Sequence, residues 1–307
     1  MDLHAEDLGI THHHDVYFGI DINGRLKDAA KGKVIYITGA SRGIGAATAL
    51  AYAQAGAKSL FLTSTSRSAA DLRAVGDSVK AGVPGVEVEV YAVDVNDEKR
   101  VKESVEKCIE KFGKIDVVIA NAGYLEKWQN IGDIDPAEWW KSMEVSLRGT
   151  FNVVHHSIHS LVETKGYAIL LSSVAAQLRG PGSSAYSIAK HALNRFAEFI
   201  DSNHRLLERN ANGSIPEYGS QGVKVFSVHP GGVITVLSSN EPKLPEHLKD
   251  KVELSSHSMV RLTSGSEDWL TGRYVSCQWD LDELETKRKE IEEGDLLKNR
   301  LDIGILG

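Results

Sequence analysis

From residue 33 onward, short runs rich in β-branched residues alternate with longer amphipathic stretches, an order that few folds satisfy. It reads KVIYITG, IGAATALAYAQAG, KSLFLTS, AADLRAVGDSVKAG, VEVEVYAVD, DEKRVKESVEKCIEKFG and IDVVIANAG. This is a βαβαβαβ rhythm, and strands joined by helical crossovers pair in parallel, with helices covering both faces of the sheet. One helix is checked directly: Val101, Val105, Cys108, Ile109 and Phe112 recur at three- and four-residue steps, while Lys102, Glu103, Glu106 and Lys107 fill the opposite face. The second half continues the pattern. It predicts a long helix over about 137–162, a strand at GYAILLSSV, a second long helix from about 184, and strands at VKVFSVHP and GRYVSCQW. The expected fold is a doubly wound α/β sandwich around a mostly parallel, seven-stranded sheet.

A chain of 307 residues suits one such domain with appendages. Residues 1–30 have no clear period and read as an N-terminal extension, 31–280 as the domain itself, and 281–307 as a charged tail with leucines spaced for a helix. ERNANGSIPEYGSQG reads as a surface loop. A formal charge of −7 argues against a nucleic-acid partner, which needs clustered Lys and Arg. The two cysteines, Cys108 and Cys277, are too far apart for a metal knuckle and too few for a disulfide scaffold, which suits a reducing compartment. The start MDLHAEDLGI lacks a signal-peptide layout, and no apolar run is long enough to span a bilayer. A cytoplasmic protein without membrane contact is expected.

The first strand runs into GASRGIG and then into a helix. Gly39, Ser41, Arg42, Gly43, Ile44 and Gly45 thus stand where a tight turn brings backbone N–H groups and a helix N-terminus up to an anion, which fits a pyrophosphate cradle. A carboxylate about twenty residues beyond the glycines would favour NAD. Here the region reads LFLTSTSRS, with no acid before Asp71. Arg42 and Arg67 are placed to clamp a 2′-phosphate, a task that suits a planar guanidinium, so NADP(H) is the expected cofactor. The alternative is that both arginines are solvated and that Thr63 or Ser64 meets the ribose of either cofactor. THHHD at 11–15 reads as a polar tract, and His155 and His159 lack the HExxH glutamate, so no functional metal is expected.

With TGASRGIG at 38–45, ANAG at 120–123, SS at 172–173, YSIAK at 186–190 and HPGGVIT at 229–235, residues 33 to 277 resemble the short-chain dehydrogenase/reductase family, and the ending WLTGRYVSCQWDLDEL resembles members from filamentous fungi. The resemblance implies that Tyr186 is the general acid in reduction and the base in oxidation, that Ser173 hydrogen-bonds the substrate oxygen, and that Lys190 also binds the nicotinamide ribose. A Lys one turn from a Tyr faces the same way, and a fixed ammonium favours tyrosinate. The family pattern further implies that Asn121 stabilises the sheet, that Ala122 and Gly123 leave room for cofactor, that Asp94 and Val95 touch adenine, and that Pro230, Gly231, Val233 and Thr235 border the nicotinamide. Asp94 reads nearly as well as a helix cap. One position departs: the family's helix asparagine is Ser146 in EVSLRGTF, which puts the water link to the lysine in question. Tyr124, Leu125, Trp128, Gln177, Leu178 and the segment after Thr235 supply aromatic and aliphatic walls, suited to a largely apolar ketone or secondary alcohol. A homodimer or homotetramer formed through the two long helices is also implied. The rival expectation is a cofactor-binding protein with a regulatory or non-redox role.

Overall fold

In the computed structural model, residues 6–202, 218–240 and 248–301 are described; most of the predicted surface loop and part of the segment after Thr235 lie outside them. Seven parallel strands form one sheet in the order β3-β2-β1-β4-β5-β6-β7. They are β1 (Val34–Thr38), β2 (Ser59–Ser64), β3 (Glu87–Ala92), β4 (Val117–Ala120), β5 (Tyr167–Leu171), β6 (Lys224–His229) and β7 (Arg273–Ser276). Every residue of β1, β2, β4 and β7 is buried, as expected of strands covered on both faces.

Two apolar clusters occupy the two faces. Along β1, Ile35 and Ile37 enter one and Val34 and Tyr36 the other, following the two-residue alternation of a strand. On the first face lie α1 (Gly43–Gln54), α2 (Ala69–Gly82) and α7 (Val252–Leu262), represented by Tyr52, Leu72 and Met259. On the second lie α3 (Glu98–Phe112), α5 (Gly149–Thr164) and α6 (Ser184–Asp201), represented by Val105, Ile158 and Ala197. α3 keeps its predicted stripe. Asp97 caps its N-terminus by accepting from the Arg100 N–H, and Gly113, at φ 84°, ends it in the left-handed conformation that glycine adopts without penalty.

The predicted helix over 137–162 is made of three pieces. α4 (Pro136–Met143) starts at the Asp135 cap, passes into a π turn at Glu144–Arg148, and continues as α5. In the turn the Gly149 N–H reaches back five residues to the Glu144 carbonyl. The tail forms two short helices, α8 (Leu281–Thr286) and α9 (Arg288–Glu293). The leader and the tail pack on each other as well as on the sheet. Ile20, Ile22 and Leu26 share a buried cluster with Trp279, Leu281 and Leu284, and buried Arg261 joins Glu267 and the Gly19 carbonyl.

The chain leaves β1 toward β3 on one side and returns to β4 on the other. This strand-order reversal opens a crevice at the carboxyl ends of β1 and β4, where open α/β sheets take their ligands.

Candidate active site

The crevice floor is built from the ends of β1 and β4. Thr38 Oγ1 accepts from the N–H groups of Asn121 and Ala122, both at 3.0 Å, and Asn121 Nδ2 donates to the carbonyls of Thr38 (2.8 Å) and Gly39 (3.1 Å). Asn121 thereby pins the two strands together at the reversal. Gly39 has φ +64°, and a Cβ there would stand 2.8 Å from Asn121 Nδ2; a Cβ on Gly45 would collide with the Gly39 carbonyl. The turn must therefore be bare for α1 to approach the strand. No side chain caps the α1 N-terminus and no acid stands in its first turn, so the helix end remains open to an anion.

Gly39 and Asn121 line a cleft of about 420 Å³ that also takes in Ser41, Arg42, Gly43, Ile44, Ser64, Arg67, Asp94, Val95, Ala122, Gly123, Tyr186, Lys190, Pro230 and Thr235. The bare turn, the open helix end and the length of the cleft fit a dinucleotide. Arg42 contacts Ser68 Oγ (3.4 Å) and, more loosely, Asp71 (3.8 Å), with both charged side chains about half-exposed; Arg67 sits on the exposed turn at Ser66–Ser68. Asp94 Oδ1 accepts from the Asn96 N–H at 3.0 Å, closing a small turn, while Asp97 is the residue that caps α3. Val95 packs against Gly149, and its carbonyl accepts from Asn152 Nδ2 at 2.8 Å.

Gly231, Val233, Ser173, Ser146 and Gly45 stand behind or beside the cleft wall. Gly231 (φ +89°) and Val233 belong to the loop after β6, which Asp250 holds. Asp250 accepts from the Gly232 N–H (2.5 Å) and Gln278 Nε2 (2.7 Å), and its other oxygen meets His14 Nδ1 (2.5 Å). Sequence reading gave this aspartate no role, because its partners lie 18, 28 and 236 positions away.

Tyr186 and Lys190 share the inner face of α6. Ser173, the residue that starts the Val174–Ala176 turn after β5, hydrogen-bonds the Tyr186 phenol. Lys190 Nζ donates to the Leu171 carbonyl (2.5 Å) and lies 5.4 Å from the centre of the Tyr186 ring. The expected lowering of the phenol by a neighbouring ammonium is not what the site shows: burial pushes Tyr186 up to about 12, the Ser173 hydrogen bond works against that, and the charge of Glu126 adds to it. Burial also brings Lys190 down to about 8. Asn194, one turn beyond Lys190, locks α6 to the sheet by accepting from Ser172 Oγ (2.7 Å) and Ser227 Oγ (2.5 Å). Neither Asn194 nor Glu126 carries a motif that sequence reading could have used.

Ser146 lies buried in the π turn. Its hydroxyl accepts from the Tyr124 N–H (3.3 Å), and its carbonyl accepts from Thr150 Oγ1 (2.8 Å). A Cβ built on Gly123 would stand 3.5 Å from Lys190 Nζ and 3.6 Å from Ser146 Oγ, so the three positions adjoin. On the substrate side, Tyr124, Leu125, Val145, Val236 and Leu237 join the lining, with Lys141 near the Tyr124 ring. Two of the tract histidines pair with carboxylates, His13 with Asp280 and His14 with Asp250; His155 stacks on Phe151 on the exposed side of α5. Among the described residues no helix is long and apolar enough to cross a membrane.

A family model described as short chain dehydrogenase matches residues 33–244. A short chain dehydrogenase of Monascus purpureus is 38% identical over 292 residues, covering 94% of both chains, and one of Monascus ruber is 35% identical over 302 residues, covering 95% of this chain and 93% of that one. Among solved structures, levodione reductase matches with a TM-score of 0.69 at 25% identity, over 82% of this chain and 96% of its own. A 3-ketoacyl-(acyl-carrier-protein) reductase from Brucella melitensis, solved with NADH, has the same TM-score at 23% identity, over 80% of this chain and 97% of its own, a likeness of fold. With its sheet order, its glycine turn and the full-length likeness to its fungal relatives, this chain belongs to the short-chain dehydrogenase/reductase family of oxidoreductases.

Proposed function

We propose that the protein is an NADP(H)-dependent oxidoreductase that interconverts a largely apolar ketone and its secondary alcohol. The observation that carries this reading is the convergence of Ser173, Tyr186 and Lys190 beside a cleft that begins at the glycine turn. The nicotinamide, when bound, supplies or accepts the hydride. Ser173 offers its hydroxyl to the substrate oxygen, and Tyr186 delivers a proton to that oxygen in reduction or takes it in oxidation. A phenol held near 12 is fully protonated at neutral pH, and an alkoxide is a much stronger base than a phenolate, so the proton moves downhill in reduction. Lys190 keeps a positive charge within reach of the phenol whenever it is protonated.

Arg42 and Arg67 at one end of the cleft, with no carboxylate at the end of β2, support NADP(H) over NAD(H). The apolar wall of Leu125, Val145, Val236 and Leu237 supports an apolar substrate, and the likeness to a levodione reductase supports carbonyl chemistry. The fungal relatives are in keeping with a place in secondary metabolism. Phe151, Ile188 and Phe199, exposed on α5 and α6, support a homo-oligomer formed through those helices.

A non-redox or regulatory reading is favoured by one observation: the carbonyl at the family's asparagine position is already engaged by Thr150. The test is NADPH oxidation over a panel of aromatic and aliphatic ketones beside a direct NADPH titration. Turnover that disappears in Tyr186→Phe, by at least about a thousandfold with cofactor affinity within about threefold, supports the redox reading. Retained activity in that variant removes Tyr186 as the acid, and tight binding without turnover of any ketone favours the non-redox reading.

A further inference from the structure

The geometry points to Glu126, in the loop after β4, as a positioning residue for Tyr186: its buried carboxylate fastens the N-terminus of α6 at the tyrosine's own N–H and brings an acidic side chain to the residue that bears the phenol. This rests on the reading of Tyr186 as the proton donor.

α6 begins without a cap of its own. Ser183 precedes it, but its hydroxyl donates to the Gly180 carbonyl instead of serving the helix N–H groups. The missing acceptor arrives from sixty residues earlier. Glu126 Oε1 accepts from the backbone N–H of Tyr186 itself at 3.1 Å, and Oε2 accepts from Ser142 Oγ on α4. A carboxylate at the positive end of an 18-residue helix is favourably placed.

Capping alone does not require a charge, since a glutamine or serine oxygen would accept the same hydrogen bond at a smaller desolvation cost. Glu126 is 1% exposed, and among the described residues no Lys, Arg or His lies within ion-pair distance of it. A buried, unpaired carboxylate persists only where two donors and a helix end compensate it, and here all three belong to the catalytic helix or its neighbour.

The groups that act on the phenol are Lys190 on α6, Ser173 after β5 and Glu126, while Tyr274 on β7 interacts with it electrostatically and Lys141 of α4 lines the same cleft over the Tyr124 ring. Glu126 is the carboxylate whose charge acts on Tyr186, opposing tyrosinate. The arrangement keeps Tyr186 in its acid form near neutral pH, so that the tyrosinate needed to take a proton from an alcohol forms only at higher pH. The loop is also tied to the entry of α6 by the Gln129 N–H on the Gly182 carbonyl (3.2 Å). A substrate pressing on Tyr124 or Leu125 would therefore bear on the same helix end.

The experiment is the pH profile of kcat/KM for alcohol oxidation with NADP⁺ by the full chain, using the secondary alcohol that corresponds to a ketone reduced in the panel. The ascending limb reports loss of the Tyr186 proton. Glu126→Gln keeps an acceptor for the Tyr186 N–H while removing the charge, and is expected to move the limb to lower pH by about half a unit to one unit, a three- to tenfold gain at a pH on the limb. Glu126→Asp, which keeps the charge, is expected to hold the limb in place. If Glu126→Gln does not fold, Glu126→Ala, which leaves room for water to take both donors, is expected to show the same displacement. A limb at the wild-type position in the neutral variants, with only activity or Tm lowered, overturns the inference and leaves Glu126 as a cap. An inactive wild-type enzyme, or a limb that survives in Tyr186→Phe, overturns the reading of Tyr186 and this inference with it.

Discussion

At the scale of single side chains, the proposed preference for NADP(H) rests on Arg42 and Arg67. Both line the cleft, and neither is consumed by a strong internal partner: the Arg42 contacts with Ser68 and Asp71 are long, and Arg67 is exposed. A charge-assisted hydrogen bond to a phosphate oxygen contributes about 1.5–3 kcal/mol, less where water competes. Arg42→Ala combined with Arg67→Ala is therefore expected to weaken NADPH binding by about tenfold or more and NADH by about threefold at most, as read by fluorescence titration. Equal losses for the two cofactors would remove the 2′-phosphate clamp. The individual residues that were legible in advance are those whose role depends on near neighbours. The Gly39 turn and Tyr186 one turn from Lys190 are of this kind, whereas the helix cap read at Asp94 falls to Asp97. The balance of forces on Tyr186 was not legible, because the largest of them is burial by segments distant in the chain.

The π turn at Glu144–Arg148 is where an element departs from its pattern. The pattern predicted one long helix over about 137–162, but a π turn divides it into α4 and α5, and the extra residue in the turn sets Ser146 toward Tyr124 and Gly123. Thr150 Oγ1 supplies the hydrogen bond that the Ser146 carbonyl would otherwise seek from the helix or from solvent. Ser146→Asn restores the family's residue at a turn that is already widened. We expect kcat to stay within about threefold of wild type or to rise, and a fall beyond about tenfold would show that serine belongs to a differently built site. Seven strands and three long helices were readable because their signals are local: β-branched runs, three- and four-residue apolar steps, and caps. The π turn was not, since its cause is packing of α4 against α6 and the loop after β4.

Across the molecule, the N-terminal leader reaches the cofactor side of the sheet. Residues 11–14 run beside the exit of β7 through the His13 N–H on the Gln278 carbonyl and the Asp280 N–H on the Thr11 carbonyl. His14 then meets Asp250, which holds Gly232 in the loop after β6. His14→Ala is expected to raise the Kd for NADPH about three- to tenfold, a loss of about 0.7–1.4 kcal/mol, with kcat at saturating cofactor much less affected. An unchanged Kd would leave the leader with a packing role alone. Alternation of strand and helix patterns was enough to specify a doubly wound parallel sheet, because right-handed crossovers leave few other topologies. The strand-turn-glycine-helix order likewise specified where the cleft would begin, since a bare turn and a helix N-terminus are local chemistry. The tertiary structure alone decided that Glu126 meets the start of α6, that Asn194 locks its middle, and that Asp250 joins the leader, the segment after β7 and the loop after β6. Those contacts span tens to hundreds of residues, and a polar side chain's partner over such distances is set by where the packed layers bring it and leaves no periodic trace in the chain.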